Sequence, residues 1–339
     1  MTAPERLGGF KILKELTRIS MVLPETSGLS PLPVCRAVSE NKINLPYFTS
    51  VFDGQAWGLN LIVEARDEAG ICRVLEERFG HPFVSTPKSA VLSIFPHKKN
   101  PEITGKLCEV FDREGLEPDA MATSPSTISV VIREGILAKA SEALFEPFSF
   151  SAYRTPTDWK LAQKGKEQLY KEVVASYQEQ RPKVYGLEYY EGQDFIEIRA
   201  NRKILGSVGA SFRGFARSGL SLVFFTTSPT GADGKDVLAF CLPMSQSRAY
   251  GRVVQAIAPA VEITGVSSVT VFSMNGPHFG DRHGIASELL SALQDHGVRH
   301  LALSCTIASI SGVVPSRQMK SALEAIEERF DVPSMTRRE

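Results

Sequence analysis

The sequence predicts an α+β protein built from repeated βαββαβ units. Two observations carry that expectation. The segment from Ile103 to Phe148 reappears without a gap as Ile285 to Phe330, so that Leu107, Gly115, Ala120, Ile128, Ser129, Val131, Ala140, Glu142, Ala143 and Phe148 meet Leu289, Gly297, Ala302, Ile310, Ser311, Val313, Ala322, Glu324, Ala325 and Phe330. The shared positions are mostly apolar residues and a turn glycine, the kind a repeated fold keeps and a repeated active site does not. The second observation is rhythm: β-branched runs and helical-period runs alternate through the chain in the order strand, helix, strand, strand, helix.

In the C-terminal copy, Ser267 to Ser273 reads as a strand and MNGPHFGDRHG as a polar loop. Ile285, Leu289, Leu290 and Leu293 mark a helix face, and Gly297 stands where a left-handed stop is cheapest. Strands are predicted at Leu301 to Thr306 and Ser309 to Val314. Met319, Ala322, Leu323, Ile326 and Phe330 then recur at helical spacing, with Ser316 as the N-cap. The earlier copy has a strand at Ala90 to Phe95, the loop HKKNPE, a helix face at Ile103, Leu107, Val110 and Phe111, and a stop at Gly115. Strands at Asp119 to Thr123 and Thr127 to Ile132 and a helix from Leu137 to Phe148 complete it.

Each copy follows a segment of like size and rhythm. From Phe10 to Thr86 the strands are Arg18 to Leu23, Tyr47 to Phe52 and Gly58 to Glu64, and the helices Pro31 to Asn41 and Glu68 to Phe79. From Val184 to Gly265 the strands are Phe195 to Ala200, Leu220 to Thr226 and Val237 to Leu242, and the helices Ile204 to Arg217 and Ser245 to Ala258. Trp159 to Gln180 reads as a charged connecting helix opened by Thr155-Pro156-Thr157-Asp158. The expected division is therefore ferredoxin-like units over 8–87, 88–152, 183–265 and 266–335, in two pairs, with the connector over 153–182.

Composition narrows function. The 339 residues carry 38 basic and 38 acidic side chains, a formal net charge of zero, which disfavours nucleic acid as partner. No apolar run is long enough to cross a bilayer and no leader is legible, so a cytoplasmic protein is expected. Five scattered cysteines, Cys35, Cys72, Cys108, Cys241 and Cys305, fit reduced buried thiols better than a zinc site. His278, His283, His296 and His300 match no metal-ligand spacing. Neither GxGxxG nor GxxxxGK[ST] occurs, and no cofactor is expected.

The run VTVFSMNGPHFGDRHGIASELLSAL, with the serine- and threonine-rich strands Ser304 to Val314 and the closing helix carrying Ala322, Leu323 and Ala325, resembles the regulatory ACT domains of aspartokinases. Upstream, VYGLEYYEGQDFIEIRA resembles the stretch that opens the aspartokinase regulatory region. The resemblance implies four tandem ACT-like modules, without a kinase domain, since no KFGGTS-like loop occurs. It implies small ligands, often amino acids, bound where the loop after a first strand meets a helix start. In the last module the matching residues are Asn275, Gly276, His278, Asp281, Gly284, Ile285 and Ala286, flanked by Ser304, Thr306 and Ser309. In the second module they are Asn100, Pro101, Glu102 and Ile103, with Ser124 and Thr127. Free backbone N–H groups at a helix start attract a carboxylate, which is the physical ground for such a site. The first-module loops PETSGLSPLP and ANRKILG depart from the family's Asp-Pro-Gly pattern: Asn201 stands in for an acid, and Arg202 and Lys203 add positive charge. The resulting expectation is a non-catalytic amino-acid sensor acting allosterically on a partner enzyme, pairing its modules within the chain or as a homodimer. A ligand-free interaction scaffold and an aspartate-pathway enzyme are the alternatives.

Overall fold

The computed structural model describes residues 4–153, 155, 157–158, 181–200, 204–229, 236–244, 262–277, 279–280, 282–307 and 309–338. The connecting helix expected over 159–180 and the helix expected over 245–258 lie outside these residues. The described residues form an α+β fold with seven α-helices and one large, mainly antiparallel sheet.

The first half runs β1 (Glu5–Leu7), β2 (Gly9–Pro24), α1 (Pro31–Glu40), β3 (Tyr47–Phe52), β4 (Ala56–Glu64), α2 (Glu68–Phe79), β5 (Phe83–Phe95), α3 (Pro101–Arg113), β6 (Ala120–Thr123), β7 (Ile128–Arg133), α4 (Leu137–Ala143) and β8 (Phe148–Phe150). The second runs β9 (Gly186–Ala200), α5 (Leu205–Arg217), β10 (Phe224–Pro229), β11 (Asp236–Pro243), β12 (Glu262–Asn275), α6 (Ile285–Asp295), β13 (Ala302–Thr306), β14 (Ser309–Pro315), α7 (Met319–Arg329) and β15 (Met335–Arg338). Local chemistry places most boundaries. Pro31 and Pro101 open their helices, where a missing N–H costs nothing. Gly80, Gly115 and Gly297 stop helices at φ 60, 62 and 65°. Ser316 does not cap α7: it opens a 3-10 turn over Ser316–Gln318, and its hydroxyl pairs with Thr270 at 2.9 Å.

Four strands are longer than their sequence signals, and they organise the molecule. β2 pairs with β4 through Leu16–Pro24, and with the far end of β5 through Gly9–Leu13. β5 in turn pairs with β7 through Ser89–Ile94. β9 and β12 repeat the arrangement in the second half. Each long strand thus serves two neighbouring βαββαβ stretches, and residues 87/88 and 265/266 fall inside β5 and β12. The break in register within β2–β5 coincides with left-handed Glu15 and Lys88, that within β9–β12 with Gly192 and Ser268, as bulges that bend a strand require.

Following the pairings β2-β4-β3-β13-β14-β12-β9-β11-β10-β6-β7-β5 returns to β2, so the sheet closes on itself. Closure leaves those strands few bare edges. The ring is flattened. Helices cover its outside over two apolar cores, one under α1, α2, α6 and α7 and one under α3, α4 and α5. The inner faces meet each other through Val51, Phe195, Phe224, Val271 and Val313. At Gly58 the approach is so close that a Cβ would lie 2.1 Å from the Pro229 carbonyl oxygen. A polar row also crosses the inner face in register: Ser20, Asn60, Thr49, Ser304, Ser311 and Ser273. Asn60 donates to the Thr227 carbonyl at 3.3 Å and Ser304 to the Thr123 carbonyl at 3.2 Å, so the row is bonded to the opposite wall. These bonds spare Asn60 and Ser304 the roughly 1–3 kcal/mol that an unpaired buried polar group costs.

No described helix is long and apolar enough to cross a membrane, and the described residues contain no group of three or more His, Cys, Asp or Glu placed to hold a metal.

Candidate functional site

The two halves meet at two seams of the same design. In one, β3 pairs with β13 and α1 lies beside α6. In the other, β10 touches β6 at Thr226 and Ala122, and α5 lies beside α3. Each seam joins a strand and helix of the first half to a strand and helix of the second.

The α1/α6 seam contains a cavity of about 20 Å3, lined by Cys35, Val38, Ser39, Ile43, Leu45, Phe279, Arg282, Gly284, Ile285, Ala286, Ser287 and Cys305. That volume holds a water molecule; an amino acid needs the helices to part. α6 begins at the cavity. Gly284 precedes it at φ 88°, no side chain caps the helix, and a Cβ on Gly284 would lie 2.7 Å from the Ser39 hydroxyl. The first N–H groups of α6 and its positive dipole end therefore face a chamber with mostly apolar walls. The preceding loop is held by close approaches: a Cβ on Gly280 would lie 2.3 Å from the Ile307 carbonyl oxygen, and Asn44 donates to the Gly280 carbonyl at 2.6 Å. Arg36 donates to Ser291 at 3.0 Å across the helices. Burial pushes the thiols of Cys35 and Cys305 well up, so both are neutral.

Of the residues expected to bind, Gly284, Ile285 and Ala286 come together here. Asn275 ends β12 opposite Ser309, and its carbonyl accepts from the Tyr185 N–H at 2.8 Å; Gly276 follows it, packed on Phe279. Ser304 points away, into the inner polar row. Thr306 and Ser309 bond to each other across the hairpin at 3.2 Å. His278 and Asp281 lie outside the described residues. Cys35, Ser39, Ile43 and Leu45 were not legible as site residues, because they belong to the other half of the chain. The only signal was parity: Cys305 must face opposite to Ser304 on a strand.

The α3/α5 seam is closed. Asn100 spends its side chain capping the Glu102 N–H at 3.0 Å, and Ile103 is buried in the core. Ser124 and Thr127 close a turn on themselves at 2.8 Å. His97 is buried, with Nε2 2.6 Å from the Ser124 carbonyl oxygen while Nδ1 accepts from the Lys99 N–H at 3.2 Å. Burial lowers it to about 4, so it is neutral and its proton sits on Nε2. Helix contact here is backbone to backbone: a Cβ on Gly105 or Gly209 would lie 2.7 Å from the other's carbonyl oxygen. Arg213 locks the contact, reaching Glu102 at 3.1 Å and Glu109 at 2.9 Å.

No protein-family model matches the sequence, and no curated protein does. Among solved structures, the chain is similar to the aspartate kinase from Synechocystis, with a TM-score of 0.77 and 16% identity, over 96% of this chain and 56% of that one. It is also similar to the regulatory subunit of aspartate kinase from Thermus flavus, at TM-score 0.39 and 15% identity over 43% of this chain. E. coli aspartokinase III in complex with aspartate and ADP aligns at TM-score 0.33 and 13% identity over 45%. Only the first speaks to the whole chain, and at its identity it shows the fold: this chain shares it with somewhat over half of an aspartate kinase.

That likeness corrects three expectations. A regulatory ACT region without the kinase domain, a non-catalytic sensor acting on a separate enzyme, and a chain that is no enzyme all give way to one finding: 96% of this chain shares the fold of an aspartate kinase, over 56% of that chain's length. The sequence carries no phosphate-loop spelling of the KFGGTS kind. Backbone N–H groups can hold phosphate under many spellings, so a missing motif weighs less than a shared fold.

Proposed function

We propose that this chain works in an aspartate-pathway enzyme of the aspartate kinase type, in the cytoplasm, and that its βαββαβ units are ACT-type modules regulating that activity. The observation that carries the reading is the fold shared over nearly the whole chain with one aspartate kinase. The element orders β2-α1-β3-β4-α2-β5 and β12-α6-β13-β14-α7-β15, with strands shared between neighbouring units, support the modular part.

An amino-acid effector enters at the α1/α6 seam in this reading. Its carboxylate meets the uncapped start of α6 beside Arg282, and its side chain meets Val38, Ile43, Leu45 and Phe279. Binding parts the seam, and the energy available to shift the enzyme is the difference in affinity between open and closed states. The α3/α5 seam, already filled, serves as the fixed joint.

The test is aspartate-dependent formation of ADP from ATP by the purified chain, followed with and without each aspartate-family amino acid. Turnover above the aspartate-free background, changed by one amino acid and made insensitive by Ala286→Leu, is the expected result. ADP formation that ignores aspartate overturns the enzyme reading. Unaltered effector response in Ala286→Leu overturns the seam as its site.

A further inference from the structure

The α1/α6 seam carries a pair of thiols that effector binding does not need. Cys35 stands on α1 and Cys305 on β13, 1% and 7% exposed, contributed by opposite halves of the chain to one cavity of about 20 Å3. The other cysteines are apart from it: Cys72 is half-buried on α2, Cys108 sits in the core under α3, and Cys241 lies where the inner faces of the sheet meet. Burial pushes the Cys35 thiol up, and a thiolate on Cys305 would push it further. In the closed seam both are therefore poor nucleophiles. Both become accessible only once the seam loosens.

We propose that Cys35 and Cys305 form a disulfide across the seam, tying α1 to β13 and holding the cavity shut against an effector. A small-molecule disulfide, such as oxidised glutathione, is the oxidant. Cys305, the more exposed, attacks one reagent sulfur as its thiolate; the reagent S–S bond breaks and the first glutathione leaves, taking up the proton that Cys305 lost. Cys35 then attacks the Cys305 sulfur, and the second glutathione leaves with the Cys35 proton. Two protein thiols are oxidised and one reagent disulfide is reduced to two thiols. The consequence for the effector rests on the seam being its site. The bond itself rests only on the two cysteines lining the same cavity, and its readout does not involve turnover or effector.

The experiment incubates the full chain with oxidised glutathione at pH 8, alkylates it in denaturant, and reads intact mass and peptides. Free thiols should fall from the five in the sequence to three, with a loss of two hydrogens and a Cys35–Cys305 cross-linked peptide. Cys35→Ser should stop at a glutathione adduct on Cys305, and Cys305→Ser should leave Cys35 as a thiol. The wild-type count needs no variant, so a poorly folding substitution does not blunt the test. Five thiols remaining, a stable glutathione adduct on wild-type Cys305, modification of Cys72 alone, or a cross-link between any other pair overturns the proposal. If the cross-link forms and an effector still binds the oxidised chain with unchanged affinity, the seam is the wrong effector site while the disulfide stands.

Discussion

The two seams of this molecule begin from the same plan and end as opposites. At α3/α5, Gly105 and Gly209 let two helix backbones touch, and Arg213 bridges Glu102 and Glu109. At α1/α6, a Cβ on Gly284 would meet only the Ser39 side chain, the helix start is uncapped, and a cavity lies among Cys35, Ser39 and Cys305. Under the 182-residue offset of the repeat, the clamping Glu102 corresponds to Gly284. One seam is a filled backbone contact and the other holds a chamber. Packed contacts are bistable and costly to disturb; an unfilled seam is where a ligand can act at low cost.

The comparison breaks most visibly at the glycine contact. Gly209→Leu forces a side chain into the backbone of α3 and should cost about 3 kcal/mol or more, read as a lower urea midpoint. If that variant unfolds with the wild type, the α3/α5 seam is not the rigid one.

Next in size is an electrostatic effect on the inner face. Glu197 is 5% exposed on β9; Thr264 donates to it at 3.2 Å, and Arg199 reaches Asp53 beside it at 3.1 Å. Burial, with help from the Asp53 charge, raises it from 4.5 to about 7. The folded chain therefore binds this proton more tightly than the unfolded chain. Stability falls as pH rises from about 4.5 to about 7 and is flat beyond, as far as this group is concerned. Glu197→Gln removes the penalty. It should stabilise by roughly 2–3 kcal/mol at pH 8 and by almost nothing at pH 4, measured by thermal unfolding at both. Equal effects at the two pH values would mean that Glu197 is charged throughout.

Gly284→Ala sharpens the contrast at the open seam. The left-handed φ alone should cost about 1–2 kcal/mol, and the contact with Ser39 adds to it. Combining it with Ser39→Gly should recover the contact part and leave the backbone part, read from a double-mutant cycle. Arg213→Met follows, at about 1 kcal/mol because the pair is partly exposed. Its effect should shrink in 1 M salt, as a screened ion pair requires. Smallest is Ser39→Ala, expected within about 0.5 kcal/mol; a larger loss would mean that the α1/α6 seam is also locked.

Much of the secondary structure was legible. Tyr47–Phe52 and Glu68–Phe79 stand where β-branched alternation and helical spacing put them, and the glycine stops are in place. The long strands were under-read for a physical reason. Bulges at Glu15, Lys88 and Ser268 and the run Lys14-Glu15 interrupt alternation, so β2, β5 and β12 each showed only the part buried in one core. At the site, the start of α6 was legible because a glycine before a small-residue helix leaves a local mark. Ser304 was misplaced because strand parity, which turns it to the inner polar row, shows only once the neighbour's burial is known.

By itself, the sequence determined the elements, the duplication and the helix stops. All of these depend on periodicity and on backbone preferences acting within a few residues. Tertiary structure alone decided which unit faces which, how β9–β11 pairing closes the sheet, and that Cys35 and Ser39 meet Gly284 from some 250 positions away. Such contacts follow from how whole surfaces complement each other. No local pattern records them, because the residues that form them acquire a shared environment only when the chain has folded.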